Sequence, residues 1–67
     1  MILTTFFSND GMREAQIVKQ ENKLWVDMFE RNKQEKLCHI HKVDVSTHSM
    51  YYAEDTAENW VLYVIKN

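Results

Sequence analysis

The fold class is decided by residues 2–17, ILTTFFSNDGMREAQI. The stretch begins with β-branched and aromatic residues, which favour strands. The NDG sequence at residues 9–11 follows as a hairpin turn, and Gly11, the only glycine in the chain, supplies the positive φ that such a turn needs. Beyond the turn, Ala15 and Ile17 alternate with polar residues and face one side of a second strand. The stretch therefore predicts a β-hairpin.

Two further strands extend this hairpin into a meander. Short polar turns separate the predicted strands, which cover residues 2–8, 12–19, 24–30 and 35–43. In the third strand, strict alternation separates two sets of side chains: Leu24, Val26 and Met28 on one face, and Trp25, Asp27 and Phe29 on the other.

The pattern changes to a helix after residue 45. Ser46 and Ser49 suit a helix N-cap, because a serine oxygen accepts a free backbone N–H group. An apolar stripe then recurs at helical spacing: Ala53, Ala57, Trp60, Val61 and Val64. The pattern predicts a helix at about residues 50–65, although residues 60–65 are also compatible with a fifth strand. The whole chain, residues 1–67, reads as a single α+β domain: an antiparallel β-meander of about four strands packed on one C-terminal helix.

Composition limits the function classes. The 67 residues form one domain, and a single cysteine, Cys38, cannot make an internal disulfide, which favours a reducing compartment. No signal peptide or apolar stretch of membrane-spanning length is recognisable, so we expect a cytoplasmic protein with no membrane partner. The net charge of −2 disfavours non-specific nucleic-acid binding.

The sequence predicts no catalytic residues, no cofactor, no metal and no small-molecule substrate. His39 and His41 are the candidates for a metal pair, since residues two apart on a regular strand project from one face. A complete site needs at least one more ligand, for which His48, Asp27 and Asp44 are the candidates, so two surface histidines are the favoured interpretation. Cys38 is expected on the opposite face as a packed thiol. The carboxylates early in the helix are expected to be solvated groups favoured by the helix dipole: Glu54, Asp55 and Glu58.

A small basic cluster supports an alternative function. Arg31, Lys33 and Lys36 surround one predicted turn and could contact phosphates. Glu30 and Glu35 interrupt this cluster. A nucleic-acid-binding regulator that uses the sheet face and this turn is therefore the alternative, and it rests on fold-level analogy.

The C-terminal segment favours protein binding. Residues 60–65 are apolar all round a helix, although packing against one sheet needs only one face. The apolar residues left over predict an interaction patch, which an exposed sheet edge could extend by strand addition: Tyr51, Leu62, Tyr63 and Ile65.

Two segments also resemble a known family. Residues 8–15, SNDGMREA, and residues 52–61, YAEDTAENWV, are similar to a family of very short uncharacterised proteins from tailed phages of marine cyanobacteria. The resemblance implies expression in the cytoplasm of a bacterial host and an accessory or host-directed role. The predicted partner is thus a host protein or a second copy of the chain in a homodimer.

Overall fold

A computed structural model describes residues 1–64 as one antiparallel sheet followed by one helix. The four strands follow one another across the sheet in chain order, so each lies beside its neighbour in sequence. The elements are β1 Ile2–Phe7, β2 Arg13–Gln20, β3 Lys23–Arg31, β4 Leu37–Asp44 and α1 Met50–Val61. The predicted α+β meander with a C-terminal helix is confirmed.

Turns of left-handed backbone set the register of the meander. Gly11 has φ 72° after β1, as the sequence predicts. Gln20 pairs with Lys23, so Glu21 and Asn22 form a two-residue hairpin loop, with φ 54° and 62°. Positive φ at both positions is the geometry that matches strand twist, yet a glutamate there costs about 1 kcal/mol.

The core lies between one face of the sheet and the helix. Side chains from both layers are buried: Ala15, Ile17, Val26, Met28, Ala53, Ala57, Trp60 and Val61, closed at the side by Val45. The two alanines let the helix lie close to the sheet, and the fully buried Trp60 donates its indole N–H to the Phe29 carbonyl over 3.0 Å. Ser49 caps the helix by accepting the Tyr52 N–H over 3.3 Å, as predicted. Within residues 1–64, no helix is long and apolar enough to cross a membrane.

The helix is shorter than the sequence pattern predicts. It ends at Val61 rather than near residue 65, and Leu62 is its C-cap. Tyr63 follows with φ 63°, and the N–H groups of Tyr63 and Val64 donate to the carbonyls of Trp60 and Asn59, over 3.2 and 2.9 Å. This is the bond pattern that closes a helix when the residue after the cap is left-handed. The fifth-strand alternative is wrong for Trp60 and Val61, which are helical.

Candidate functional site

The C-terminal end of the helix is hydrogen-bonded to the turn between β1 and β2. Tyr63 donates its hydroxyl to Asp10 Oδ2 over 2.6 Å. The other oxygen, Oδ1, accepts the Ser8 hydroxyl at 2.6 Å and the Met12 N–H at 2.9 Å. These bonds, that from Ser8 first and that from Tyr63 second, lower the pKa of Asp10 from 3.8 to about 2. The same contact with Asp10 raises the pKa of Tyr63, because the phenol is held as a donor.

A buried arginine continues this contact into the core. The Arg13 guanidinium carbon lies 3.9 Å from the centroid of the Trp60 ring and 4.3 Å from that of Tyr63. Its Nη1 donates to the Trp60 carbonyl at 3.0 Å, and its Nε pairs with Glu30 at 2.8 Å. Arg13 therefore joins β2, β3 and the helix C-terminus. The sequence analysis did not identify Arg13. The signal for it was that Arg13, Ala15 and Ile17 alternate along β2, which places a charged residue on the strand face that the two apolar residues bury.

The predicted C-terminal patch is divided by the fold. Tyr51 is 84% exposed and lies in the first turn of the helix, whereas Leu62 and Tyr63 follow its last turn. A helix of 12 residues separates the two ends by about 18 Å, so these side chains do not form one surface. Leu62 and Tyr63 border a shallow cavity of about 220 Å³ with Asn9, Asp10 and Val61. Ile65 lies outside the described residues.

The predicted basic cluster is partly used inside the protein. Arg31 donates from Nε to the Gly11 carbonyl at 3.1 Å and from Nη1 to the Glu35 carbonyl at 2.8 Å, so it links two turns. Lys33 and Lys36 are exposed. Two lysines, rather than three cations, are thus left to reach a phosphate from this turn.

The two strand histidines do not form a pair. An irregularity in the β3–β4 pairing places His39 opposite Phe29 and His41 opposite Met28, so Ile40 has no partner of its own. His39 contacts Asp27 at 3.1 Å on the face away from the helix, whereas His41 lies against Trp60 on the helix face. The prediction that both imidazoles share one face is wrong. Among residues 1–64, no group of three or more potential ligands could hold a metal ion.

Strand β1 is an exposed apolar edge of the sheet. Strands β1 and β4 form the two edges, and β1 alone among the four strands carries no ionisable side chain. Ile2 is 56%, Leu3 40% and Phe7 66% exposed. The pairing of each edge strand contains one irregularity, but only β4 also carries charged residues, which protect an edge from pairing with another chain. Sequence reasoning raised strand addition but did not identify the edge.

The sheet face away from the helix presents half-buried aromatic side chains. Trp25 lies there with Lys42 Nζ 4.7 Å and Lys23 Nζ 5.8 Å from its ring centroid. Phe29 meets the His39 ring edge-on, with 5.2 Å between centroids. No element of the described chain covers this face.

Comparison with known proteins leaves these surfaces to be interpreted on their own physical chemistry. No family model, no curated protein and no solved structure matches this chain.

Proposed function

We propose that this chain is a small non-enzymatic protein-binding module, which acts by burying an apolar surface against another protein. One observation carries the proposal: β1 combines an unpaired backbone edge with exposed Ile2, Leu3 and Phe7. Unpaired N–H and C=O groups on a sheet edge offer hydrogen bonds to an incoming strand, and the neighbouring apolar side chains add contact area.

The patch beyond the helix lies at the same end of the molecule as the end of β1. Tyr63 contacts Asp10 in the turn that follows β1, which brings Leu62 to that corner. A strand laid along β1 can therefore continue onto Leu62, which is 54% exposed. Tyr51, at the other end of the helix, is not part of this surface.

The partner class follows from the phage resemblance and from the surface. A phage accessory protein acts in the host cytoplasm, so a host protein or a second copy of the chain is the expected partner. Strand addition uses backbone hydrogen bonds and apolar contacts, so it does not require a highly charged protein and is compatible with the net charge of −2.

The test is a tagged pull-down from bacterial host lysate, with and without nuclease, read by mass spectrometry. We expect the wild type to retain the same protein in both arms and Phe7→Glu to lose it, because a charge at the edge opposes strand addition. Tyr51→Glu is the matched control, since Tyr51 is also exposed but remote from β1. Equal retention by wild type and Phe7→Glu would remove β1 from the site.

A nucleic-acid-binding regulator is the second candidate, and the outer face of the sheet favours it. Trp25 is an aromatic platform with two lysine ammonium groups beside it, and single-stranded nucleic acids bind such platforms by base stacking and phosphate contacts. Lys33 and Lys36 could add phosphate contacts from the neighbouring turn.

This second candidate predicts a different pull-down. Recovery collapses with nuclease, and binding weakens steeply as salt rises, because neutralised phosphates release counterions. Lys33→Glu with Lys36→Glu abolishes retention under this function. Under the protein-binding function the same double variant behaves as wild type.

A further inference from the structure

We infer that the shallow cavity between the helix end and the β1–β2 turn is a subsite for a basic side chain of the partner protein. The inference rests on the proposed function, because it specifies which kind of strand binds at this corner. The cavity measures about 220 Å³, less than the roughly 300–1,000 Å³ of sites that enclose a drug-sized ligand, so it suits a single side chain. Asn9 follows the last residue of β1 by two positions, at most about 7 Å of chain, so a strand that pairs with β1 can end beside the cavity.

Asp10 supplies the negative charge of the cavity. Its hydrogen bonds come from neutral donors, which are the hydroxyls of Ser8 and Tyr63 and the N–H group of Met12. No cation among residues 1–64 pairs with this carboxylate. Within that range Oδ2 accepts the Tyr63 hydroxyl alone, and a carboxylate oxygen can accept two hydrogen bonds, so it can take one more donor. The low pKa of Asp10, about 2, keeps the charge in place at neutral pH.

The C-terminal end of the helix adds to this negative potential. A helix carries a partial negative charge at its C-terminus, and no basic residue lies in the last turn of α1. Val61 and Leu62 line the cavity at this end, and their carbonyl oxygens accept no hydrogen bond from residues 1–64. A lysine ammonium or an arginine guanidinium has at least three donors, so one basic side chain can bond to Asp10 and to a helix carbonyl together.

Arg13 adjoins the cavity, but its positive charge is compensated. Its guanidinium carbon lies 4.3 Å from the centroid of the Tyr63 ring, which is part of the cavity wall. Its Nε pairs with Glu30 at 2.8 Å, and its Nη1 donates to the Trp60 carbonyl at 3.0 Å. Arg13 and Glu30 are therefore neutral as a pair, whereas the charge of Asp10 is not balanced by an ion pair within residues 1–64.

The walls of the cavity suit the rest of a basic side chain. Val61, Leu62 and Tyr63 offer apolar surface, on which a methylene stem packs while its charged head reaches Asp10. Strand β1 has no ionisable side chain, so strand pairing alone does not select partners by charge. The subsite therefore adds specificity for a basic strand to the affinity that the edge supplies.

Titration of the full chain with blocked hexapeptides, followed by NMR, tests the subsite. The probes are TVTVTR and RTVTVT, which place arginine at either end, and TVTVTQ and QTVTVT, in which glutamine replaces it. We expect the better-placed arginine peptide to bind about three to five times more tightly than its glutamine counterpart at low salt, the gain of a partly exposed charge pair. The amide signals of Asp10, Leu62 and Tyr63 should shift with the arginine peptide, and the preference should shrink as salt rises.

Three variants locate the preference. Asp10→Asn removes the charge and keeps the side-chain shape, so it should bring the arginine-to-glutamine affinity ratio below about 1.5. Asp55→Asn is the matched control: it changes the net charge equally, but Asp55 is exposed on the helix seven residues before Leu62, so the ratio should not change. Lys66→Ala removes a cation of the chain itself, three positions beyond Tyr63 in the sequence, and should also leave the ratio unchanged. Circular dichroism checks that each variant remains folded.

The outcomes separate this inference from the proposed function. A wild type that binds none of the four peptides, or binds arginine and glutamine peptides equally, overturns the subsite, as does a preference that Asp10→Asn leaves intact. A preference that appears only in Lys66→Ala overturns it as well, because the chain's own lysine is then the occupant. Host-protein capture that Phe7→Glu abolishes would still support the protein-binding function. Failure of both the peptide preference and the capture would overturn both.

Discussion

Replacing Arg13 with alanine should destabilise the domain more than any surface change. The substitution removes the charged bond to the buried Trp60 carbonyl at 3.0 Å, the stacking on two rings and the Glu30 pair. A hydrogen bond from a charged donor contributes about 1.5–3 kcal/mol, and a desolvated cation–ring contact about 1–2 kcal/mol. Glu30 is one-third exposed, so its share is small. We expect a total loss of about 3 kcal/mol, a large part of the 3–10 kcal/mol typical of roughly 67 residues.

Urea unfolding, followed by tryptophan fluorescence and far-ultraviolet circular dichroism, measures this loss. The midpoint should fall while the slope with denaturant stays constant, because the surface exposed on unfolding is almost unchanged. Arg13→Lys keeps the charge but not the planar donor set, so it should lose about half as much.

The control is Lys19→Ala on the same strand, where the side chain is exposed. Its effect should stay within about 0.5 kcal/mol. If Arg13→Ala costs no more than Lys19→Ala, the contact between the helix end and the sheet does not stabilise the fold.

Five further results are expected. Asn22→Gly should raise the free energy of unfolding by about 0.5–1 kcal/mol in urea titrations, because glycine suits the positive φ of the β2–β3 turn; a loss would contradict that turn geometry. Ser49→Ala should lower it by about 1 kcal/mol by removing the helix cap, and no change would mean that the cap is dispensable. Between about pH 4 and 2 the wild type should lose stability that Asp10→Asn does not lose. The Asp10 pKa is lower in the folded state than in the unfolded state, so the ionised carboxylate stabilises the fold when the pH is above the unfolded-state pKa. This contribution is lost as the pH falls towards the folded-state pKa of about 2. The raised pKa of Tyr63 has the opposite sign: its contribution is complete below about pH 10 and lost above it, so Tyr63→Phe should flatten the alkaline limb of the same pH series. Excess chelator should leave the melting temperature unchanged, because the bulge sends the imidazoles of β4 to opposite faces; a fall would indicate a structural metal.

The features that depend on local sequence could be predicted. Three local patterns, which each extend over only a few residues, correctly predicted the sheet and the helix: the alternation of apolar residues, the glycine turn and the serine cap. The burial of Ala53, Ala57 and Trp60 also followed from helical spacing.

The features that depend on contacts distant in sequence could not be predicted. A single bulge in β4 reverses the direction of every side chain beyond it, so strict alternation gave the wrong relation between His39 and His41. The helix stops at Val61 and Tyr63 turns to Asp10, a partner 53 residues away, so the run of apolar residues did not continue as a helix.

The exposed edge of β1 could not be predicted either, because it also depends on how distant segments pair. Residues 2–7 read as an ordinary strand, and only the strand order shows that one side of it is unpaired. Its lack of charge then becomes informative, because the three other strands all carry charged side chains.

Residue-resolved amide hydrogen exchange by NMR tests most directly whether β1 is the strand that another chain binds. The spectra compare the protein alone at low concentration with the protein at high concentration, and with any host protein that the pull-down yields. We expect slower exchange at Thr5 and Phe7, whose N–H groups point away from β2, with little change at the outward amides of β4. Unchanged exchange in β1, with protection appearing instead around Tyr51 or on the Trp25 face, would contradict it.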